Sequence, residues 1–121
     1  MSDGLRHTRP LSQVEIEERI QSVLDRMESD TEEYDDIAQR AAVAEAHYRR
    51  EAAMARLAVI QHGEKMTVGE RDARVDMMSA DAHKDYLITQ AARNSKREHL
   101  QTLRAHLDAL RTLNASVRGQ T

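Results

Sequence analysis

Apolar residues return every three or four positions from Ile16 through Ile20, Val23, Met27, Tyr34, Ile37, Ala41, Ala44 and Tyr48 to Ala55 and Ala58. That spacing keeps one face of an α-helix apolar over many turns, so it predicts a long helix packed on other helices. Function is then expected on helix surfaces and not in a deep pocket.

Start and stop signals frame this helix. Pro10 and Leu11 lead into Ser12, and Glu15 stands three residues later, the pattern of a capping box in which both side chains satisfy free backbone amides. Neither glycine nor proline follows until Gly63, which is placed to end the helix as its C′ residue. The expected helix covers 12–62, roughly 75 Å at about 1.5 Å per residue. Ser29, Asp30 and Thr31, followed by Glu32 and Glu33, form a second start signal at which the helix either divides or runs on. Asp30 and Glu51 occupy seam positions, where a charge fixes register or oligomer state more than it adds stability. After a turn over 63–67, Thr67 with Glu70 repeats the capping pattern and predicts a helix over 68–118. Its clearest face is Leu100, Leu103, Leu107, Leu110 and Val117, with Leu113 alongside. Extended backward, that face passes through Arg93 and Lys96 before it reaches Tyr86, Ala82 and Val75, so its middle is polar.

Two helices of similar length joined by a short turn are antiparallel neighbours. The expected fold is therefore all-α, a long antiparallel helical hairpin forming a single domain over 12–121 behind a flexible N-terminal arm over 1–11. Two helices share only one mutual interface, and the chain has no Phe, Trp or Cys and only three Tyr with which to build a compact core or a crosslink. Assembly into a homo-oligomeric bundle or ring follows as the expectation. Ile16, Ile20, Val23, Met27, Tyr34, Ile37, Tyr48, Leu100, Leu103, Leu107, Leu110 and Val117 are expected at its interfaces. A partner protein of another kind is the rival occupant.

Composition narrows the function. The first residues are polar and include Asp3, Arg6 and Arg9, unlike a signal peptide, and no apolar run approaches membrane-spanning length. A cytoplasmic protein without membrane contact is expected. The six histidines lack the helical spacing of zinc ligands; only His99 and His106 share a face, two turns apart. The acidic cluster Glu32, Glu33, Asp35 and Asp36 reads as a solvated flank, and neither a glycine-rich phosphate loop nor a nucleophile elbow is present. No enzyme activity, metal or cofactor is expected. Met54, Met66, Met77 and Met78 read as gap-filling interface residues, or as an adaptable partner surface.

Charge is more suggestive. The formal net charge is -3, yet from Ala91 onward six basic residues stand against Glu98 and Asp108. Such asymmetry suits a polyanion or a complementary face on another subunit, against the plainer reading of a solvated helix with internal ion pairs. Arg49, Arg50 and Arg56 cluster near the end of the first helix, Lys65, Arg71 and Arg74 near the turn, and Arg93, Lys96, Arg97 and Arg104 along the second helix. Guanidinium groups hold phosphate oxygens without reading sequence. Because the tyrosines fall on the seams, any nucleic acid would be held by its backbone and not by stacked bases.

The chain resembles the UvsY-type recombination mediators and their small relatives in bacteriophages. The shared features are overall size, a first helix with Tyr48 and a basic run ending in Ala55-Arg56-Leu57, a glycine turn at His62-Gly63, and a second helix beginning near Thr67. The stretch from Leu107 to Arg118 is similar to the closing leucine pattern of many small phage helical proteins. In that family a Lys-Ala-Arg-Leu run is tied to DNA binding; Met54 stands here at the lysine position and Arg56 is retained. The resemblance implies a ring-forming accessory protein in the cytoplasm of an infected bacterium. It would bind single-stranded DNA, help displace the single-strand-binding protein and load a RecA-like recombinase. Arg49, Arg50, Arg56, Arg93, Lys96, Arg97 and Arg104 are the expected nucleic-acid contacts. A virion scaffolding protein and a module that sequesters a host protein through its acidic half are the alternatives.

Overall fold

The computed structural model describes residues 11–62 and 65–119, and among them only helices occur. We number these α1 (Gln13–Gln61), α2 (Val68–Met78) and α3 (Ala80–Gly119). The expected arm over 1–11, apart from Leu11, and the expected C′ residue Gly63 lie outside the described residues.

The start signals at Ser12 and Thr67 both operate. The Ser12 hydroxyl accepts the Glu15 backbone N–H at 3.2 Å. At α2 the Thr67 hydroxyl accepts the Glu70 N–H at 3.1 Å while the Glu70 carboxylate accepts the Thr67 N–H, a complete capping box. Helix α1 passes through Ser29–Thr31 without dividing. The reason is local: the Thr31 hydroxyl donates to the Met27 carbonyl at 2.6 Å, folding back on the preceding turn instead of capping a new helix.

Where one helix over 68–118 is expected, the chain forms two, separated at Ser79. Ser79 takes φ -103° and ψ 10°, off the helical values, and is buried. Its N–H and its hydroxyl both donate to the Val75 carbonyl, at 3.0 and 2.8 Å. Such side-chain competition for an i−4 carbonyl disturbs helices. The ladder resumes at once, since the His83 N–H donates to the Ser79 carbonyl at 2.9 Å.

Packing divides into two units. One joins residues up to Glu32 with those from Glu98 onward; the other is Glu33–Arg97. In the first, Val23, Leu103, Leu107 and Leu110 form a buried cluster with Ile20 and Met27 packed against it. The helix segments there are antiparallel, as Glu17 meets Arg118 (3.3 Å) and Asp30 meets His99 (2.9 Å). Asp30, the seam charge, thus has a histidine across from it.

In the second unit Glu33 pairs with Lys96, and Tyr48 stacks on His83 and Tyr86, which again makes the α1 and α3 segments antiparallel. Its buried cluster is Ala52, Ala55, Val59 and Val75, with Tyr48 and Met66 alongside. This interior is built of small residues, and each alanine contributes less than a leucine by about 0.8 kcal/mol per missing buried methylene.

The residues expected between copies face inward within one subunit or are half-buried. Ile16, Val23, Leu103, Leu107 and Leu110 are buried, whereas Ile20, Met27, Tyr34, Ile37, Tyr48, Leu100 and Val117 are intermediate. In the first unit the chain's own second segment covers the stripe, because its leucines recur at the complementary spacing. The residues left outside are a different set, with Val43, Leu57, Ile60 and Met77 among the most exposed.

Candidate nucleic-acid interface

Arg49 and Arg56 sit seven residues apart on α1, hence two turns along one side of the helix and about 10.5 Å apart along the axis. With Tyr48, Ala52 and Tyr86 they line a surface cleft of about 310 Å³ in the second unit. The Tyr48 ring lies 4.5 Å from that of His83 and 5.8 Å from that of Tyr86, with nearly parallel planes. Stacking fixes the two phenols as one wall; the arginines supply the other.

The side chain of Arg49 is 74% exposed and held by Glu45, whose Oε1 accepts from Nε (3.1 Å) and Nη2 (2.8 Å). Both bonds end on one carboxylate oxygen and leave Nη1 for another acceptor. The hydrogen bond from Arg49 to Glu45, and then the attraction of that carboxylate, raise the guanidinium pKa above its ordinary value. Arg56 is exposed and lines a second cleft of about 230 Å³ with Val59, Ile60, Val68, Arg71, Asp72 and Val75. A third guanidinium, Arg71, therefore approaches the same neighbourhood from α2.

The other expected contacts are dispersed. Arg50 is exposed, about 100° around α1 from Arg49. Lys96 is largely buried and engaged with Glu33. Arg93 is half-buried, with its Nε enclosed and lacking a hydrogen-bond partner. Arg97 is exposed and donates to Asn94 Oδ1 at 2.8 Å. Arg104 is exposed and belongs to the first unit. Of the seven, Arg49 and Arg56 share a cleft.

Sequence reading assigned Tyr86 to packing and His83 to the surface, and missed Tyr86 as a wall of this cleft and His83 as the ring stacked on Tyr48. They lie three residues apart on α3, a spacing that puts two rings on one helix face, and this was the available signal. Among the described residues no group of three or more His, Cys, Asp or Glu is placed to hold a metal ion, and no helix is long and apolar enough to cross a membrane.

These features define an all-helical protein with a basic, tyrosine-walled surface cleft. No protein-family model matches the chain, and neither does any curated protein or solved structure.

Proposed function

We propose that the protein is a non-enzymatic, self-assembling helical protein that holds the phosphate backbone of single-stranded nucleic acid, single-stranded DNA in the first instance. The convergence of Arg49 and Arg56 on one cleft beside Tyr48 and Tyr86 carries this reading. A phosphate seated there would receive the free Nη1 of Arg49 and the fork of Arg56, both charge-assisted donors. The tyrosine hydroxyls add neutral donors, and the cleft offers no base-reading pattern. Two such contacts per subunit are weak, but several subunits on one strand gain by effective concentration.

Within this reading, the finer role is that of a recombination mediator of the UvsY type, exchanging a single-strand-binding protein for a RecA-like recombinase. It rests on the sequence resemblance. The exposed Leu, Ile and Met side chains of the second unit favour a second reading, an interaction or scaffolding module with no nucleic-acid role.

Anisotropy titrations of the intact protein with a fluorescent oligothymidylate separate the two. Backbone binding is expected to weaken steeply with salt, each phosphate contact contributing about 0.7 to the log–log slope. Arg49→Glu with Arg56→Glu should abolish binding at moderate salt. Absence of binding by the wild-type protein at 50 mM salt, or binding unchanged in the double variant, rejects the proposal.

A further inference from the structure

The second unit leaves several of its large apolar residues on the outside. Its interior cluster is Ala52, Ala55, Val59 and Val75, whereas Val43 (67% exposed), Met54, Leu57 (58%) and Ile60 (65%) lie on α1 in solvent. On a helical projection Val43, Met54 and Leu57 fall within about 40° of one line, and the buried Ala52 and Val59 lie nearly opposite. Helix α1 is therefore apolar on two faces over residues 41–60, one already covered by the chain itself.

The outer face has its own heptad. Val43, Arg50 and Leu57 recur every seven residues, and Ala46, Ala53 and Ile60 follow three positions behind. That is the a/d repeat of a helix that packs on another helix, with a single charged residue at one a position, a device that sets register and oligomer number. Small and large residues alternate along it from Val43 to Leu57, so the same surface supplies both knobs and the spaces to receive them. Near the end of α1 the apolar surface continues on the Ile60 side, where Ile60 shares a cleft with Val68.

We infer that this outer face of α1 is the contact between copies of the chain, with a second α1 laid against it. The inference rests on the assembled state proposed above and specifies its interface. Area supports it: Val43, Met54, Leu57 and Ile60, each more than half exposed, present on the order of 100 Å² each, about 400 Å² together. Apolar atoms make up about 60% of a specific interface, so the whole contact amounts to roughly 700 Å² per copy and 1,400 Å² in total. This falls within the size of a stable specific complex. Charge permits it, since residues 33–97 carry eleven basic and eleven acidic side chains and two copies meet without net repulsion. The first unit offers no equivalent, with only Val14, Leu24 and Leu113 as exposed large apolar residues among its described residues.

The test is mass by light scattering on the full chain without nucleic acid, so that its outcome is independent of strand binding. The wild-type protein is expected above the 13.8 kDa of one copy at micromolar concentration. Val43→Glu and Leu57→Glu, each at a site already in solvent, should keep wild-type helicity while shifting the association midpoint by about a hundredfold, because each buries an unpaired carboxylate. Val14→Glu, in the first unit, should leave the mass unchanged. A wild-type monomer at 100 μM overturns the inference and leaves the face to a different protein. An assembly that survives both charge variants, or that Val14→Glu disrupts equally, overturns it as well. Should one charge variant lose helicity, Ile60→Glu replaces it in the comparison.

Discussion

Leu107→Ala tests the packing argument most directly. Leu107 is 4% exposed and belongs to the cluster with Val23, Leu103 and Leu110, bordered by Ile20 and Met27. Truncation removes three buried carbons, worth about 2.4 kcal/mol at roughly 0.8 kcal/mol per group, plus a cavity cost. Leucine-to-alanine changes in cores span about 2–5 kcal/mol. Here the cluster lies between two helix segments and not inside a multilayered core, so water and side-chain shifts fill the gap easily. The expected loss is therefore about 2–3 kcal/mol. For a domain of this size, total stability is on the order of 5–15 kcal/mol, and a loss of 2–3 moves the urea midpoint down by about 1–2 M. The chain lacks tryptophan, so circular dichroism at 222 nm at fixed protein concentration is the suitable probe. A loss below about 0.5 kcal/mol would refute the view that this leucine cluster is the principal apolar store of the first unit.

Further outcomes follow from the same structure. Thr67→Ala removes the hydroxyl half of the capping box, leaving the backbone N–H of residue 67 to the Glu70 carboxylate, and should cost about 1 kcal/mol, read as faster amide exchange confined to the eleven-residue α2. Glu45→Gln weakens the carboxylate that occupies Arg49 and should raise affinity for an oligothymidylate severalfold; unchanged or lower affinity would separate Arg49 from the binding surface. Ser79→Ala deletes the hydroxyl that competes for the Val75 carbonyl, so α2 and α3 should merge, with carbon chemical shifts at 78–80 moving to helical values and stability changing by less than about 1 kcal/mol. Glu17→Ala breaks an exposed pair with Arg118 and should cost about 0.5 kcal/mol or less, decreasing with salt.

Much of the architecture was legible from residue order alone. The three- and four-residue spacing from Ile16 onward and the leucines from Leu100 to Leu110 give helices at those places, since periodicity and capping act over a few residues. The start at Thr67 was readable to the residue for the same reason. Ser79 was not, because serine is tolerated within helices and its effect depends on which carbonyl its hydroxyl meets. Continuity through Ser29–Thr31 turned on a similar choice, made by the Thr31 rotamer.

The candidate cleft divides in the same manner. Arg49, Arg50 and Arg56 were visible as a basic cluster near the end of α1, but residue order did not show that Arg49 and Arg56 alone among the expected contacts would share a cleft. Only tertiary structure brought Tyr86 and His83 beside Tyr48, placed Lys96 against Glu33, and put Ala52, Ala55, Val59 and Val75 inside and Met54, Leu57, Ile60 and Met77 outside in the second unit. Periodicity marks that a helix has an apolar face. When α1 carries two such faces, the choice of which one its own partner covers depends on how closely backbones approach, and alanine-lined faces allow the closer approach.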